Sequence, residues 1–400
     1  MWTMKRFVRC LAVTIACWGP MAWADVNTDW DTIACDVVAA TKPPTPVGVR
    51  MLAITQTAAY EAVKRATTSD KRAPEVSADA AVASAYRAAL IALVPTQTAM
   101  IEAAYRKSLG TLVEGAATNA GVAIGERSAA EVVARKTDDG ASTAESYRPV
   151  TSPGVYVPTA IPAVPQWIER KPWLMTSAAQ FRPAPPPALS SAVWARDYNE
   201  VKAMGGKTSS ARRAEQTDVA RFWEATLPSI YHGVVRSVAE QPGRDIARNA
   251  RLFAAVAQGM DDALVAVFDA KYHYNFWRPI TAIRNGDTDG NDATERDASW
   301  TPFIDTPMHP EYPCAHCIVA ATVGTILQAD LGDAPVPSLT TTSYMVAGSK
   351  RSWTSVEDFI QEVAEARICD GVHYRTSTEV GVAMGREVGR LAAQRFLEGP

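Results

Sequence analysis

The feature that most limits the possible folds is a long amphipathic helix predicted over residues 244–272. Apolar side chains recur every fourth residue along it and share one face: Leu252, Val256, Met260, Leu264 and Phe268. Such a face must be covered by neighbouring elements. Other segments are rich in Ala and Leu with helical periodicity, whereas strand-like alternation is scarce. The sequence therefore predicts an all-α protein in which helical bundles pack into one body.

Further helices are predicted on both sides of a proline-rich connector. Residues 141–187 are crowded with Pro, Ser and Thr, which indicates a long ordered segment that wraps the surface. The other predicted helices cover residues 47–65, 77–94, 95–109, 111–135, 190–204, 210–226, 313–331, 355–366 and 378–397. We divide the chain into a leader (1–24), an N-terminal helical region that includes the connector (25–188) and a C-terminal helical domain (189–400).

The first 24 residues have the pattern of a secretory signal peptide. Lys5, Arg6 and Arg9 precede a short apolar core, and an Ala-Trp-Ala sequence ends at Ala24. We expect cleavage after Ala24, a periplasmic or secreted protein, and no stable membrane anchor, since the apolar core is too short to span a bilayer. Loss of three positive charges changes the net charge from −3 to −6. That balance gives no electrostatic reason to expect nucleic acid as a partner.

Four cysteines follow the predicted leader, and an oxidising compartment makes disulfides an expectation. They are Cys35, Cys314, Cys317 and Cys369. Four cysteines permit three pairings, and the sequence does not choose among them. Zinc binding by residues 314–317 is disfavoured because a second close pair of ligands is missing.

Cations and histidines are concentrated in three short segments of the second half of the chain. In the first, Lys271 and Arg278 lie seven residues apart at the end of the long predicted helix, so both can face one cavity. In the second, Pro313 marks the predicted start of a helix and His316 falls in its first turn. The free N–H groups and the dipole at such a helix start favour an anion.

The third segment places Arg367 and His373 on either side of a predicted helix end, where Gly371 permits a turn. Guanidinium and ammonium groups are the expected partners of tetrahedral or trigonal oxyanions. Two histidines can supply a proton donor or acceptor and a nucleophile or ligand. The three segments together therefore predict an oxyanion site.

The three segments resemble the signature of the vanadium-dependent haloperoxidase and type-2 phosphatidic acid phosphatase superfamily. That signature is Lys, six residues, Arg-Pro; then Pro-Ser-Gly-His; then Ser-Arg, five residues, His. The matching residues are Lys271, Arg278, Pro279, Pro313, His316, Arg367 and His373. The amino-acid sequences of residues 276–279 and 309–313 resemble the haloperoxidase branch more than the small lipid phosphatases. The resemblance implies the all-α fold of that superfamily.

The resemblance also implies which groups bind the anion. Lys271, Arg278 and Arg367 would bind the equatorial oxygens of vanadate or phosphate. Cys314 and the N–H of Ala315 would occupy the places of the anion-binding Ser and Gly. A thiol donates more weakly than the serine hydroxyl, and a free Cys314 would be oxidised by peroxide unless it were tied in a disulfide.

For the histidines, the resemblance implies that His316 is the general acid–base. His373 would be the apical vanadium ligand of a peroxidase or the phosphorylated nucleophile of a phosphatase. The superfamily usually has an Asp four residues after this histidine to orient its ring, but this chain has Ser377. Glu379 and Asp370 are the candidate replacements, and the sequence does not decide between them.

The resemblance implies an enzyme that oxidises halide with hydrogen peroxide by means of bound vanadate. One alternative is a periplasmic acid phosphatase that works through a phosphohistidine and needs no cofactor. A further alternative is a non-catalytic oxyanion-binding homologue. In each case the partner is a small molecule, and a homodimer is the expectation that the family suggests.

Overall fold

A computed structural model describes residues 25–68 and 75–398, so the predicted leader lies outside the described residues. Before the connector the helices are α1 (Val26–Ala40), α2 (Thr45–Thr67), α3 (Ala78–Leu93), α4 (Thr98–Leu109) and α5 (Ala116–Arg135). After it they are α6 (Ala192–Met204), α7 (Ala214–Phe222), α8 (Ser229–Ala239), α9 (Ile246–Tyr274), α10 (Pro279–Arg284), α11 (Ala315–Leu331), α12 (Val356–Cys369) and α13 (Arg375–Phe396). The all-α prediction is confirmed.

Two short strands are the main departure from the predicted elements. β1 (Leu339–Thr342) and β2 (Lys350–Trp353) form an antiparallel hairpin with Leu339 opposite Trp353. The hairpin packs against α8, where the Thr341 hydroxyl donates to the carbonyl of Ile230 at 2.7 Å. Single turns of 3-10 helix cover Pro95–Gln97, Pro165–Glu169 and Gly286–Thr288.

Polar side chains start several of the helices. In each case the side chain accepts a hydrogen bond from a backbone N–H in the first turn: Asp25, Ser77, Ser191, Asp245 and Ser355. Because the first N–H groups of a helix lack backbone partners, such caps fix where these helices begin.

Two large hydrophobic cores and two smaller clusters lie within the residues that the structure describes. The N-terminal core is built from α1 to α5 around Trp30, Tyr86 and Leu90. The C-terminal core surrounds α9, which packs against α2, α11 and α13. Of the 29 residues of α9, 22 are buried, so α9 is a central helix and not an amphipathic surface helix. Its last turn carries Lys271 into the interior.

The connector is held against α9 by buried carboxylates. Asp262 accepts hydrogen bonds from the backbone N–H groups of residues 173–175, at 2.6 to 3.0 Å. Asp261 pairs with the guanidinium of Arg170 at 2.8 Å. Trp167 and Met175 of the connector pack into the C-terminal core. The connector thereby forms one wall of the region where the predicted site residues meet.

Within residues 25–68 and 75–398, no single helix has both the length and the apolar composition needed to cross a bilayer. α3 and the segment that ends with α4 satisfy that test only as a bent pair, and the inner face of α3 belongs to the N-terminal core.

Candidate active site

A cavity of about 530 Å³, here called the chamber, lies among residues 43–46, the connector and the ends of the C-terminal helices. Its lining residues are Pro43, Pro44, Thr45, Pro46, Ile161, Pro162, Ala163, Val164, Thr226, Leu264, Phe268, Pro307, Met308, His309, Ala315, His316, Arg367 and His373. Most of the wall is apolar. The wall also carries three imidazoles and one guanidinium, which are the groups that can bind an anion or carry a proton.

The second predicted segment forms the start of α11. Cys314 is the N-cap, and Ala315 and His316 occupy the first turn and line the chamber. The sequence had predicted that the helix begins at Pro313. In the structure Pro313 precedes the helix and does not lie in its first turn. The expected helix start beside the cavity is nevertheless present, with His316 on it.

Cys314 and Cys317 form a disulfide, whereas Cys35 and Cys369 are free and buried. Cys314 is fully buried and does not line the chamber. A disulfide sulfur carries no hydrogen to donate, so the predicted donor role of the Cys314 side chain is wrong. A side chain at Gly381 of α13 would come within 2.7 Å of the Cys314 carbonyl, so the disulfide is packed closely against that helix.

His316 is held by the backbone of the segment between α7 and α8. Its Nε2 donates to the carbonyl oxygen of Ala225 at 3.1 Å. Burial lowers the pKa of His316 well below its usual value, and the nearby charges of Arg367 and Lys271 lower it further. The ring is therefore neutral, and because Nε2 carries the hydrogen, Nδ1 carries the lone pair that can accept a proton.

Arg367 lies in the last turn of α12 and reaches the chamber from inside the core. One terminal nitrogen donates to the carbonyl of Trp223 at 2.7 Å and pairs with Asp370 at 2.8 Å. Its buried Nε has no hydrogen-bond partner among the described residues. A buried guanidinium N–H without an acceptor is costly, so the site is prepared for an anion that would supply one.

His373 follows α12 and is 2% exposed. Its Nδ1 lies 2.7 Å from Oε1 of Glu311, and its Nε2 lies 3.4 Å from a terminal nitrogen of Arg278. Burial and the charges of Arg278 and Lys271 lower the pKa of His373 well below its usual value. The ring is neutral and lies between a carboxylate and a guanidinium.

Glu311 is the site residue that sequence reasoning missed. It is fully buried, and burial raises its pKa to about 7 although Lys271, Arg278 and the Ser377 hydroxyl lower it. Neither predicted replacement for the missing Asp occupies this place, since Asp370 pairs with Arg367 and Glu379 is exposed. Two features of the sequence could have pointed to Glu311. Ser377 stands where the superfamily has an Asp, and Glu311 is an acidic residue in an apolar, proline-rich segment.

Arg278 joins the first predicted segment to the other two. It is the N-cap of α10, and its guanidinium donates to the carbonyl of His309 at 2.9 Å and to that of Val372 at 2.8 Å. It also donates to Nδ1 of His309 at 2.9 Å. Burial lowers the pKa of Arg278 to about 10, which leaves it charged at neutral pH. His309 was noted in the sequence only as part of the approach to α11, and it forms a third imidazole of the chamber.

Lys271 lies one layer behind the chamber wall. Its Nζ donates to the carbonyls of Pro310 at 3.0 Å and Glu311 at 2.7 Å, and the residue is fully buried. Burial and the charge of Arg278 lower its pKa well below the usual value. In its protonated form the side chain has three N–H donors, so one would remain after these two bonds.

The residues present fit an oxyanion of the vanadate or phosphate type. The buried Nε of Arg367 needs an acceptor, and Arg278 and Lys271 keep the surroundings positive. The Nε2 of His373 is on the side of the ring away from Glu311 and lies 3.4 Å from a terminal nitrogen of Arg278, so a bound oxyanion would meet its lone pair in place of that long contact. Of the seven predicted site residues, Ala315, His316, Arg367 and His373 line the chamber.

Comparison with known proteins gives a consistent result. Residues 251–399 match the family model described as the VCPO second helical-bundle domain. Vanadium chloroperoxidase of Curvularia inaequalis is 28% identical over 179 residues, which cover 37% of this chain and 29% of that enzyme. The chain thus matches less than a third of that relative's length.

Solved structures match over nearly the whole chain. The crystal structure of a bacterial vanadium-dependent iodoperoxidase superposes with a TM-score of 0.77 at 26% identity, covering 92% of this chain and 96% of that one. A holo-type bacterial vanadium-dependent chloroperoxidase gives a TM-score of 0.68 at 17% identity, covering 89% and 93%. The latter likeness concerns the fold alone.

Proposed function

Because the chain belongs to the vanadium haloperoxidase and type-2 phosphatidic acid phosphatase superfamily, we propose that the chamber is the active site of a vanadium-dependent haloperoxidase-like enzyme. In the overall reaction, one hydrogen peroxide, one halide ion and one proton give one hypohalous acid and one water. The relatives are peroxidases by name, which supports this choice of chemistry.

The observation that carries the proposal is the convergence of the three segments. His316, Arg367 and His373 line one chamber, and Arg278 contacts His373 from behind. We propose that Arg367, Arg278 and Lys271 neutralise the charge of bound vanadate and that His373 ligates it through Nε2. Bound vanadate would activate peroxide toward attack by halide.

His316 is the proposed proton carrier of the site. Its neutral ring accepts a proton at Nδ1, while the bond from Nε2 to the Ala225 carbonyl fixes the ring orientation. The apolar wall, which includes Leu264 and Phe268, limits the access of water to the reacting groups. The N–H of Ala315, at the start of α11, supplies the remaining proposed contact to the anion.

The Cys314–Cys317 disulfide favours peroxidase chemistry over the phosphatase alternative. Peroxide oxidises free thiolates beside an active site, and a disulfide resists that first oxidation step. A disulfide also suits an oxidising compartment, which supports the proposed export of the protein. The predicted leader remains the reason to propose a periplasmic or secreted location.

The deciding experiment measures two activities of the purified protein with and without added vanadate. Halide oxidation by hydrogen peroxide that depends on vanadate supports the proposal. Hydrolysis of phosphate esters that vanadate inhibits would instead indicate the phosphatase. Activity in neither assay, together with vanadate binding, would indicate a non-catalytic oxyanion-binding homologue. The His373→Ala variant serves as the control in each assay.

A further inference from the structure

The carboxylate next to His373 comes from a different part of the chain than the superfamily pattern suggests. That pattern has an Asp four residues after the histidine, and this chain has Ser377 there. Glu311 stands 62 positions before His373, yet its Oε1 lies 2.7 Å from the Nδ1 of the ring. In this chain the carboxylate beside the ring therefore comes from the segment before α11 and not from the helix after His373.

The two neighbours of His373 require the same tautomer. In its ionised form Glu311 only accepts, so the Nδ1 that faces it then carries the proton. A guanidinium only donates, so the Nε2 that faces Arg278 carries the lone pair. This tautomer presents an unprotonated nitrogen for bonding to an oxyanion, which is the state that a ligand or nucleophile requires.

Glu311 is itself fixed on several sides. Its backbone N–H donates to the carbonyl of Phe276 at 2.9 Å, and its carbonyl accepts from Lys271 at 2.7 Å. Its Oε1 also accepts from the N–H of Tyr374 at 3.1 Å. Residues of the first predicted segment therefore hold the backbone of Glu311, and the N–H of Tyr374, next to the third segment, holds its carboxylate.

Ser377 does not perform this task. Its hydroxyl lies 3.4 Å from Nδ1 of His373, compared with 2.7 Å for Glu311, and a hydroxyl brings no negative charge. The Ser377 side chain is nevertheless buried on the same side of the ring. An Asp placed there would direct its carboxylate toward the same nitrogen.

We propose that Glu311 is the positioning residue of His373 and replaces the carboxylate that the superfamily carries at the position of Ser377. The inference rests on the proposed function in one respect, namely that the Nε2 of His373 meets the bound oxyanion. Glu311 acts through His373 and does not contact that anion.

The first test uses protein without vanadate. In ¹⁵N-histidine-labelled protein, the Nδ1–H proton of His373, assigned by its loss in His373→Gln, should resonate far downfield because it donates to a carboxylate. It should move upfield in Glu311→Ala and return downfield in Glu311→Ala/Ser377→Asp. An unchanged resonance in Glu311→Ala would overturn the inference whatever the protein binds.

The second test measures the dissociation constants of vanadate and phosphate by calorimetry. Glu311→Gln, which preserves side-chain volume, should weaken both about 10- to 100-fold, the usual effect of losing the partner of a ligating histidine. Glu311→Ala/Ser377→Asp should bind with an affinity nearer to wild type than to Glu311→Ala. Glu379→Gln is the matched control. It removes an exposed carboxylate of α13, the helix that carries Ser377, and should bind both anions as wild type does.

The outcomes separate the two proposals. If wild-type protein binds neither anion, the proposed function fails, while the proton resonance still decides the role of Glu311. If wild-type protein binds vanadate and Glu311→Gln binds it equally well, the inference about Glu311 fails and the proposed function stands. The same holds if a folded double variant binds no better than Glu311→Ala.

Discussion

The molecule contains two buried pairs of a carboxylate and an imidazole with the same geometry and different surroundings. Asp31 of α1 lies 2.7 Å from Nδ1 of His232 on α8, and Glu311 lies 2.7 Å from Nδ1 of His373. In both pairs the carboxylate is fully buried. Distance and burial alone therefore do not distinguish a structural pair from a functional one.

In the first pair, which we call saturated, both oxygens of the carboxylate have hydrogen-bond partners. Oδ1 of Asp31 accepts from His232 and from Gln56, at 2.7 and 2.6 Å, and Oδ2 accepts from Arg236 at 2.6 Å. Burial acts to raise the pKa of Asp31, but the charges of His232 and Arg236 outweigh it and the pKa is lowered. Asp31, Cys35 and His232 also lie close enough to share a metal ion, yet Arg236 already supplies the positive charge.

In the second pair, one oxygen of the carboxylate lacks an ordinary hydrogen-bond partner within the part of the chain that the structure describes. Oε2 of Glu311 has no hydrogen bond of ordinary geometry among the described residues, and burial raises the pKa of the carboxyl to about 7. His373 borders the chamber, whereas His232 lies between helices of the packed interior. What sets the Glu311–His373 pair apart, and supports the function proposed for it, is a carboxylate oxygen without an ordinary hydrogen bond in a pair beside a cavity, because such a pair can still respond to a ligand.

The largest expected effect lies in the saturated pair. Asp31→Asn leaves Arg236 without its buried counter-charge, and breaking such a pair should lower the free energy of unfolding by about 3 kcal/mol. Urea denaturation measures this loss. The folded fraction should bind vanadate with unchanged affinity. A tenfold loss of affinity would show that the two regions are coupled and that the Asp31–His232 pair is not purely structural.

Replacing the histidine of one pair should have a different effect from replacing the histidine of the other. His373→Ala removes the proposed ligand, so vanadate affinity should fall about a hundredfold or more, equivalent to about 2.7 kcal/mol. His232→Ala should lower stability and leave affinity unchanged. Calorimetric titration and urea denaturation of both variants provide the measurements. Equal losses of affinity in the two variants would contradict the assignment of function to the second pair.

The fold was predictable where local signals agreed with tertiary packing. The periodicity of α9 and the proline after Arg278 gave that helix and its end to within two residues. α8 was missed because it carries β-branched residues with modest helix propensity, and burial of Val234, Val235 and Val238 stabilises it instead. The hairpin was missed because its strands have only four residues each and depend on contact with α8.

The site was predictable where short spacings carried the chemistry. The spacings within the three segments indicated Lys271, Arg278, His316, Arg367 and His373, and the structure brings these residues together. The contact between Glu311 and His373 was not predictable, because no local pattern links residues 62 positions apart. Only the folded chain brings that carboxylate to the ring.

The disulfide gives a third difference between the regions, since Cys35 beside Asp31 is a free thiol. Cys314→Ser/Cys317→Ala should lower the free energy of unfolding by about 2 kcal/mol, because cross-linking a short loop restricts the unfolded chain by about that amount. Vanadate affinity should not fall, since Cys314 is buried and does not line the chamber. A tenfold loss of affinity would show that the disulfide itself shapes the anion site.

The smallest effect is a pH dependence with opposite signs in the two pairs. The folded-state pKa of Glu311 is raised to about 7 from 4.5, so its contribution to stability is complete below pH 4.5 and is lost as pH rises toward 7. One proton changes the free energy of unfolding by at most about 1.4 kcal/mol per pH unit. The folded-state pKa of Asp31 is lowered from 3.8, so its contribution is present above pH 3.8 and lost as pH falls through the folded value.

Urea denaturation at pH 5, 6 and 7 without vanadate tests these signs. The stability of wild type relative to Glu311→Gln should decline across this range, because glutamine does not titrate. Titration of the Asp31 carboxyl itself should contribute no change to the comparison of wild type with Asp31→Asn, because this group is ionised in both folded and unfolded protein above pH 5. A wild-type advantage over Glu311→Gln that grew with pH would mean that Lys271 and Arg278 outweigh burial, which would make the second pair as saturated as the first.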